Sequence, residues 1–385
     1  MMDYMLNEDI QAIREICNEI GEKHILPVRA ELDEENRFPS EIMKVIARSD
    51  LFSIYIPEEY GGTGMGSLSL VVATEELSRY CGGIAVSYAA NALGAMPIIL
   101  MGNEEQKKKY LPQLATGEKL SAFALTEPEA GSDAGSIKTR AIKDGDHYVL
   151  NGTKQWITNG GEAQIYTVIA LTDPDRGARG ASAFIVEEGT PGFSYGKKED
   201  KMGIRASATR ELIFEDCRIP AENLIAREGM GFMVAMRTLD NSRPGVAAQA
   251  VGIAQGALDE ALKYASERKQ FGARIDSFQG LQFMLADMGT QVEAARALTY
   301  AAARMIDNGA RKFEKESAMA KVFASDVAMK VTTDAVQILG GYGYMREYPV
   351  EKMMRDAKIT QIYEGTNQIQ RSVIAHGMIK EAGRK

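Results

Sequence analysis

The spacing of apolar residues changes twice along this chain, and that change constrains the fold more than any single motif. Between residues 8 and 117 it is helical. "EDIQAIREICNEIGEKHI" is the first such segment, and Pro27 interrupts it. "PSEIMKVIARSDLF" opens on Pro39-Ser40, a helix-start signal. "LSLVVATEELSRYCGG" and "VSYAANALGAMPIILMG" are apolar on most faces and read as buried, whereas "NEEQKKKYLPQLATGE" is polar and surface-like. From about Leu120 to Pro220 the spacing shortens to two. "DGDHYVLNGTKQWITNG" sets Tyr, Val, Trp, Ile and Thr around Asp-Gly, Asn-Gly and Gly-Gly turns, and "QIYTVIALT", "SAFIVEE", "FSYGKK" and "TRELIFEDCRIP" are further strands. Helical spacing returns after Glu222 in three long Ala-rich segments and two shorter ones. A run of strands between two runs of helices argues for a separate β-domain rather than βαβ units. Long helices with small residues and short loops argue for an antiparallel bundle. The expected fold is α+β: an N-terminal α-helical domain (1–119), a middle antiparallel β-domain (120–222) and a C-terminal four-helix-bundle-like domain (223–385).

Composition removes several functions. At 385 residues the chain is long for one hydrophobic core. Its net charge of −8 lacks the basic footprint of a nucleic-acid protein, although a locally basic pocket for an anionic small ligand remains open. Only three histidines occur, His24, His147 and His376, so neither a His-based triad nor a multi-His metal site is expected. Cys17, Cys81 and Cys217 lie far apart without a C-x-x-C, which fits a reduced compartment. The N-terminus, "MMDYMLNEDIQAIREICNEI", is acidic and amphipathic, unlike a signal or transit peptide, so a cytoplasmic location is expected. No run of about 18 uncharged apolar residues is read, so no membrane span is expected.

Several short motifs each carry two readings. "IYIPEEYGGTGMGSLSLVV" (54–72) hints at a dinucleotide-binding turn, but Gly62-x-Gly64-x-x-Ser67 lacks the third glycine and no βαβ unit surrounds it. A structural loop is expected there. "FALTEPEAGSDAGS" (123–136) is either a polar linker or a loop whose amides and hydroxyls, from Thr126, Ser132, Asp133 and Ser136, bind ligand oxygens. Trp156, in "KQWITNGG", is either a core residue or a wall for a flat heteroaromatic ring, with Thr158 as donor. "YASERKQFG" is a basic helix end, or else Arg268 pairs with a pyrophosphate and Phe271 covers an adenine. Gly340-Gly341 in "AVQILGGYGY" caps a helix or admits a ligand close to the backbone. In "ITQIYEGTNQ", Glu364 is either a charge in an interhelical turn or, desolvated by apolar neighbours, a general base. Thr366 is a possible N-cap for the last helix.

Together these segments resemble the acyl-CoA dehydrogenase family over nearly the whole chain. "LTEPEAGSDAGS", "GTKQWITNG", "GIRASATRELIFEDCRIP", "ERKQFG", "QILGGYGY" and "YPVEKMMRDAKITQIYEGTNQIQR" stand in family order and spacing, and the short- and medium-chain, butyryl-CoA-like branch is the most similar. The resemblance implies an α–β–α fold, one FAD per subunit, a homotetramer built on the C-terminal bundle and an electron-transferring flavoprotein as acceptor. It implies that Glu364 abstracts the α-proton of an acyl-CoA thioester while the β-hydrogen leaves as hydride to the flavin, giving a trans-2-enoyl-CoA. The thioester oxygen would sit on the Glu364 N–H and a flavin hydroxyl, an oxyanion-hole arrangement.

By the same resemblance, Phe123, Leu125, Thr126, Ser132, Trp156, Ile157 and Thr158 would line the flavin. Arg268, Phe271, Gln279, Gln337 and Gly341 would hold the cofactor's diphosphate and adenosine across a subunit boundary, and Thr366 and Gln368 would complete the cofactor site. Ser132, Asp240, Arg243, Tyr363 and Gly365 would meet the substrate. Isovaleryl-type and long-chain relatives carry their base in the residue before the Arg of an "S-R-P" turn, and here that residue is Ser242. The carboxylate-binding Arg of glutaryl-type relatives would fall near Ile84 and is absent. Tyr88, Leu93 and Met96 are candidate liners of a short- to medium-chain acyl pocket. A branched, cyclic or aromatic acyl group, a flavin oxidase or monooxygenase of the same superfamily, and a non-catalytic acyl-CoA binder are the alternatives.

Overall fold

The computed structural model describes residues 4–383; positions 1–3 and 384–385, the outermost residues of the expected first and last domains, lie outside the described residues. Six helices come first: α1 (Glu8–Ile20), α2 (Arg29–Glu34), α3 (Ser40–Arg48), α4 (Gly66–Tyr80), α5 (Gly82–Met101) and α6 (Glu104–Ala115). Asn7 caps α1, α3 begins at Ser40 behind Pro39, and Asn103 with Gln106 forms a capping box on α6. The 54–72 stretch is a loop into α4, with a short turn at Glu58–Tyr60 and no strand, as expected for a structural loop.

Next come β1 (Ser121–Ala124), β2 (Arg140–Asp144), β3 (His147–Thr158), β4 (Ile165–Leu171), β5 (Ala181–Glu187), β6 (Phe193–Lys198), β7 (Thr209–Pro220) and β8 (Leu224–Ile225). They form one sheet in the order β6-β7-β3-β2-β4-β5-β8, with β1 added on β4. The pairing is antiparallel except for β1 with β4 and β2 with β4, which run parallel. All seven residues of β4 are buried, because both its faces are covered. Ile165 and Ile169 pack into the helical core on one face. Tyr166, Val168 and Ala170 pack on the other, against Tyr148, Leu150, Phe184 and Phe214. The two-residue period thus feeds two cores from one strand.

The long helices follow: α7 (Gly231–Glu267), α8 (Gln279–Asp307), α9 (Glu314–Leu339), α10 (Val350–Ile359) and α11 (Asn367–Ala382). A small hairpin of β9 (Lys269–Gln270) and β10 (Ala273–Arg274) joins α7 to α8. Alanines on α7 and α9 share one core with Val292, Val331 and Ile338. Small residues let these helices approach closely. A Cβ on Gly252 of α7 would stand 2.1 Å from the Glu75 carbonyl oxygen of α4, so that crossing requires glycine.

One expectation needs correcting. Helix α5 runs twenty residues without a charged side chain and is long and apolar enough to cross a membrane by length and composition; Ser87, Tyr88 and Asn91 are its few polar interruptions. Two-thirds of that stretch is buried within the protein instead. Its polar residues face partners inside the fold: the Ser121 N–H donates to Asn91 Oδ1 at 2.8 Å, and Tyr88 Oη donates to the Leu51 carbonyl at 2.9 Å. In this structure α5 is a core helix docked on β1 and packed against α4 and α7.

Candidate active site

A cavity of about 450 Å³ opens where α4, α5, the β1 and β3 ends, α7 and the turn after α10 converge. Of the residues singled out above, it gathers Phe123, Leu125, Thr126, Ser132, Trp156, Ile157, Thr158, Arg243, Tyr363, Glu364 and Gly365, together with Leu93 and Met96. Tyr88 does not reach it. Its ring is fully buried against Phe52, with the hydroxyl spent on Leu51, so it does not line the pocket as expected.

The β-domain wall is shaped by a break in strand register. Tyr148, Leu150 and Lys154 of β3 are buried, two and then four residues apart. The pairing with β7 then shifts between Lys154 and Ile157, and Trp156 adopts a φ of 58°. The bulge turns Ile157 into the core and leaves Trp156 59% exposed at the cavity, so the core reading of Trp156 does not hold. The Thr126, Ser132 and Thr158 hydroxyls and the Trp156 indole N–H make no hydrogen bond with another described residue.

The loop carrying Leu125 to Ser132 is anchored from beneath by an ion pair absent from the sequence reading. Lys154 Nζ donates to the Leu125 carbonyl at 2.9 Å and to Glu127 Oε1 at 2.7 Å. The two side chains are only 0% and 6% exposed. Glu127 also accepts from the Lys138 N–H at 2.5 Å and the Thr139 N–H at 3.0 Å. Burial alone would push the Glu127 carboxyl up, but Lys154 and these hydrogen bonds hold it below its ordinary value. A lysine at an inward strand position was the available signal.

Glu364 sits on a strained turn. Its φ is +51° and that of Gly365 is +91°. Two left-handed residues in succession leave backbone amides unpaired on one side, a geometry suited to anions. Among the described residues the Glu364 N–H has no acceptor. A left-handed non-glycine costs on the order of 1–2 kcal/mol, so the turn must be held from outside. Ser242 Oγ, from α7, donates to Glu364 Oε2 at 2.5 Å. Gln370 Nε2, from α11, donates to the Glu364 carbonyl at 3.0 Å, and Lys321 Nζ, from α9, to the Gly365 carbonyl at 2.8 Å. The positive φ of Gly365 favours glycine there, and a Cβ would also displace Gln370 Nε2, 2.4 Å away, from its bond to the Glu364 carbonyl. Burial raises the Glu364 carboxyl above its ordinary value, while the Ser242 hydrogen bond and the Arg243 and Lys321 charges pull the other way without cancelling it.

Beside it, Tyr363 donates its hydroxyl to Gln249 Oε1, and Gln249 Nε2 donates to the Gly82 carbonyl at 3.0 Å. Gln249, also missed above, is the one polar side chain among the buried residues of α7 from Val246 to Ala265. Asp240 does not line the cavity. Its buried carboxylate pairs with Arg243 at 2.6 Å, and burial raises it to about 6 despite that partner. Thr366 caps α11, accepting from the Ile369 N–H at 3.3 Å, and Gln368 is exposed on the same helix; neither lines the cavity.

Arg268, Phe271 and Gly341 meet elsewhere, in an open groove shared with Tyr342 and Met345. Phe271 tips the β9–β10 hairpin, 96% exposed, and the Arg268 guanidinium lies 5.5 Å from the Tyr342 ring centre. Gln279, in the first turn of α8, and Gln337, near the end of α9, are exposed but outside that groove's lining. Ten of the fourteen expected cofactor residues therefore fall into two separate groups on one chain, and Gln279, Gln337, Thr366 and Gln368 line neither.

The chain is similar to known proteins over nearly its whole length. The N-terminal, middle and C-terminal domain models of acyl-CoA dehydrogenases match residues 7–118, 122–217 and 229–379. The chain belongs to the acyl-CoA dehydrogenase family. Among this family's curated members, the "Acyl-CoA dehydrogenase, short-chain specific" of Clostridium acetobutylicum is 51% identical, over 97% of this chain and 99% of that one. The butyryl-CoA dehydrogenase structure from Megasphaera elsdenii superimposes with a TM-score of 0.96 at 49% identity, covering 98% of this chain and 100% of that one. A chain in the structure described as "Electron transferring flavoprotein of Acidaminococcus fermentans: Towards a mechanism of flavin-based electron bifurcation" gives a TM-score of 0.96 at 52% identity, covering 98% and 99%.

Proposed function

We propose that this chain is a short-chain acyl-CoA dehydrogenase in which Glu364 is the base. The observation that carries the assignment is a desolvated carboxylate with a raised pKa, on a left-handed turn whose own N–H is free, facing an apolar cavity. A base that works near neutral pH needs that upward shift. The thioester carbonyl oxygen would accept from the Glu364 N–H, which stabilises the enolate-like charge that develops and acidifies the α-carbon. Glu364 then takes the α-proton, with Ser242 orienting its carboxylate. Gly365 leaves room for the thioester. Arg243, kept in place by Asp240, adds positive charge at the cavity wall. Leu93, Met96 and the Tyr363–Gln249 pair bound the apolar space beyond the carbonyl, which suits a short acyl chain.

The residues present fit FAD, on which this family depends. Trp156 is an exposed aromatic wall, and the unspent hydroxyls of Thr126, Ser132 and Thr158 with the Trp156 N–H offer polar partners to a flat ring. Phe123, Leu125 and Ile157 would supply its apolar floor, and Thr366 and Gln368, which lie outside the cavity lining, would meet the cofactor beyond it. FAD, when bound, accepts the hydride equivalent that leaves the β-carbon. Arg268, Phe271, Gln279, Gln337 and Gly341 lie apart from the Glu364 cavity and would serve a cofactor held mainly by a neighbouring subunit. That division supports a homotetramer built on the bundle. We also assign an electron-transferring flavoprotein as the acceptor, and the domain division 1–119, 120–222 and 223–385.

The test is a panel of acyl-CoA thioesters, linear, branched, cyclic and aromatic, added without oxygen to protein reconstituted with FAD. Butyryl-CoA and its near homologues should bleach the flavin fastest, and peroxide should account for a minor share of turnovers in air. A reconstituted protein that none of them bleaches, or that forms peroxide with every turnover, would contradict the assignment.

A further inference from the structure

Lys321 is buried to 0% exposure in the first third of α9, on the helix face that also buries Ser317, Ala318, Ala324 and Ser325. Its ammonium donates to the Gly365 carbonyl at 2.8 Å and to Asn367 Oδ1 at 2.9 Å. No carboxylate of a described residue lies within ion-pair distance. An ammonium kept out of water with neutral acceptors alone is costly, so a purely structural tie between α9 and the last helix would be better served by an amide or a hydroxyl. Burial lowers Lys321 to about 8, so it remains mostly cationic near neutral pH.

The position of that charge is what separates it from an ordinary tie. Its acceptor, the Gly365 carbonyl, belongs to the residue directly after Glu364, on the second of the two left-handed residues. Asn367, its other acceptor, is itself fixed: its N–H donates to the Gln361 carbonyl at 3.0 Å, and its amide donates to Ser325 Oγ at 2.9 Å and Asp326 Oδ1 at 2.8 Å. Lys321 thus holds the stretch directly after the base at two points, Gly365 and Asn367. We propose that Lys321 is a positioning residue for the reaction: its ammonium holds the Glu364–Gly365 turn in the geometry that presents both the Glu364 carboxylate and the Glu364 N–H to the substrate, and its positive charge favours the charged form of that carboxylate.

This inference rests on Glu364 being the base. The groups around the carboxylate and the ammonium are Ser242 and Arg243 from α7, Asp326 from α9, Tyr363 from the turn itself and Arg371 from α11. Burial raises the Tyr363 phenol well above its ordinary value. Lys321 is the one cation among them that burial brings close to neutrality.

The experiment compares wild-type holoenzyme with Lys321→Met, Lys321→Gln and Glu364→Gln. Flavin content, thermal unfolding, kcat and KM for butyryl-CoA, and the pH dependence of kcat/KM are measured for each. Lys321→Met should keep its flavin and lose about a hundredfold in kcat, the scale expected when a reacting group is misplaced by about an ångström. KM should change by less than roughly threefold, because the acyl-CoA contacts are untouched. The acid limb of kcat/KM should move to higher pH, since the carboxylate has lost a nearby positive charge. Lys321→Gln can still donate one hydrogen bond to the Gly365 carbonyl. It should recover part of kcat while its acid limb stays shifted, and it carries the test alone if the methionine variant does not fold. An acid limb at its wild-type position in the folded variants, with activity lost only in proportion to flavin or folded protein, would overturn the proposal. Near-wild-type turnover by Glu364→Gln would instead overturn the assignment of the base, whatever the Lys321 variants do.

Discussion

Glu364→Gln should keep the fold and the flavin and lose about ten-thousandfold in turnover of butyryl-CoA. That is the upper end of what a positioned general base supplies, and it corresponds to about 5.4 kcal/mol of transition-state stabilisation. The substitution is close to isosteric, and the glutamine carbonyl can still accept from Ser242, so the turn is retained. What disappears is the proton acceptor. Burial has already pushed this carboxyl above its ordinary range. In the wild-type enzyme, activity should therefore fall as pH drops through that raised value, because the protonated form cannot take the α-proton. Steady-state rates with an artificial acceptor, alongside flavin content and a butyryl-CoA titration, measure both effects. A variant that keeps a tenth or more of wild-type turnover would remove Glu364 from the chemistry.

The second large effect belongs to stability. Lys154→Met should destabilise the protein by about 3–5 kcal/mol, because it leaves the buried Glu127 carboxylate without its cation and the Leu125 carbonyl without its donor. Replacing both partners, Lys154→Met with Glu127→Gln, should cost less than Lys154→Met alone, since no buried charge is then left unpaired. The acid side of the profile adds a sign. Glu127 is held below its ordinary value in the fold, so the unfolded chain binds more protons than the native one as pH falls. The stability this pair contributes is present above the unfolded value of about 4.3 and is lost as pH falls through the lower folded one. Lys154→Met should flatten that acid dependence. Because Leu125 and Thr126 ride on the same anchor, the variant should also release FAD more readily. Thermal unfolding of apo and reconstituted protein across this pH range measures all of this. A loss below about 1 kcal/mol would show that the pair does not anchor the loop.

The fold was legible because each block kept one period throughout. Helical spacing before Leu120 and after Glu222, with alternation between them, gave the order of elements. The buried charges were harder to see. Lys154 and Lys321 look like ordinary surface residues in a string, and only their places in the pattern betray them: Lys154 on the inward side of a strand, Lys321 in the apolar stripe of α9. Trp156 resisted for a related reason. Alternation counted through an unbroken strand puts it in the core, and the bulge that turns it outward is set by pairing with a strand more than fifty residues away. Tyr88 failed in the opposite direction: on a helix apolar nearly all round, position alone did not say which face meets the cavity. Within its own stretch Glu364 reads either as a turn charge or as a base, and the base role comes from the family resemblance; its left-handed backbone and its contact with Ser242 depend on the packing of α7, α9 and α11 around one turn.

The central claim is that Glu364 removes a proton from the carbon next to a thioester. Its most direct test is a single anaerobic turnover of reconstituted wild-type protein with butyryl-CoA that carries deuterium at the α-carbon alone. Bleaching of the flavin should then be several-fold slower than with unlabelled substrate. Identical rates for the two substrates in that single turnover would contradict the account.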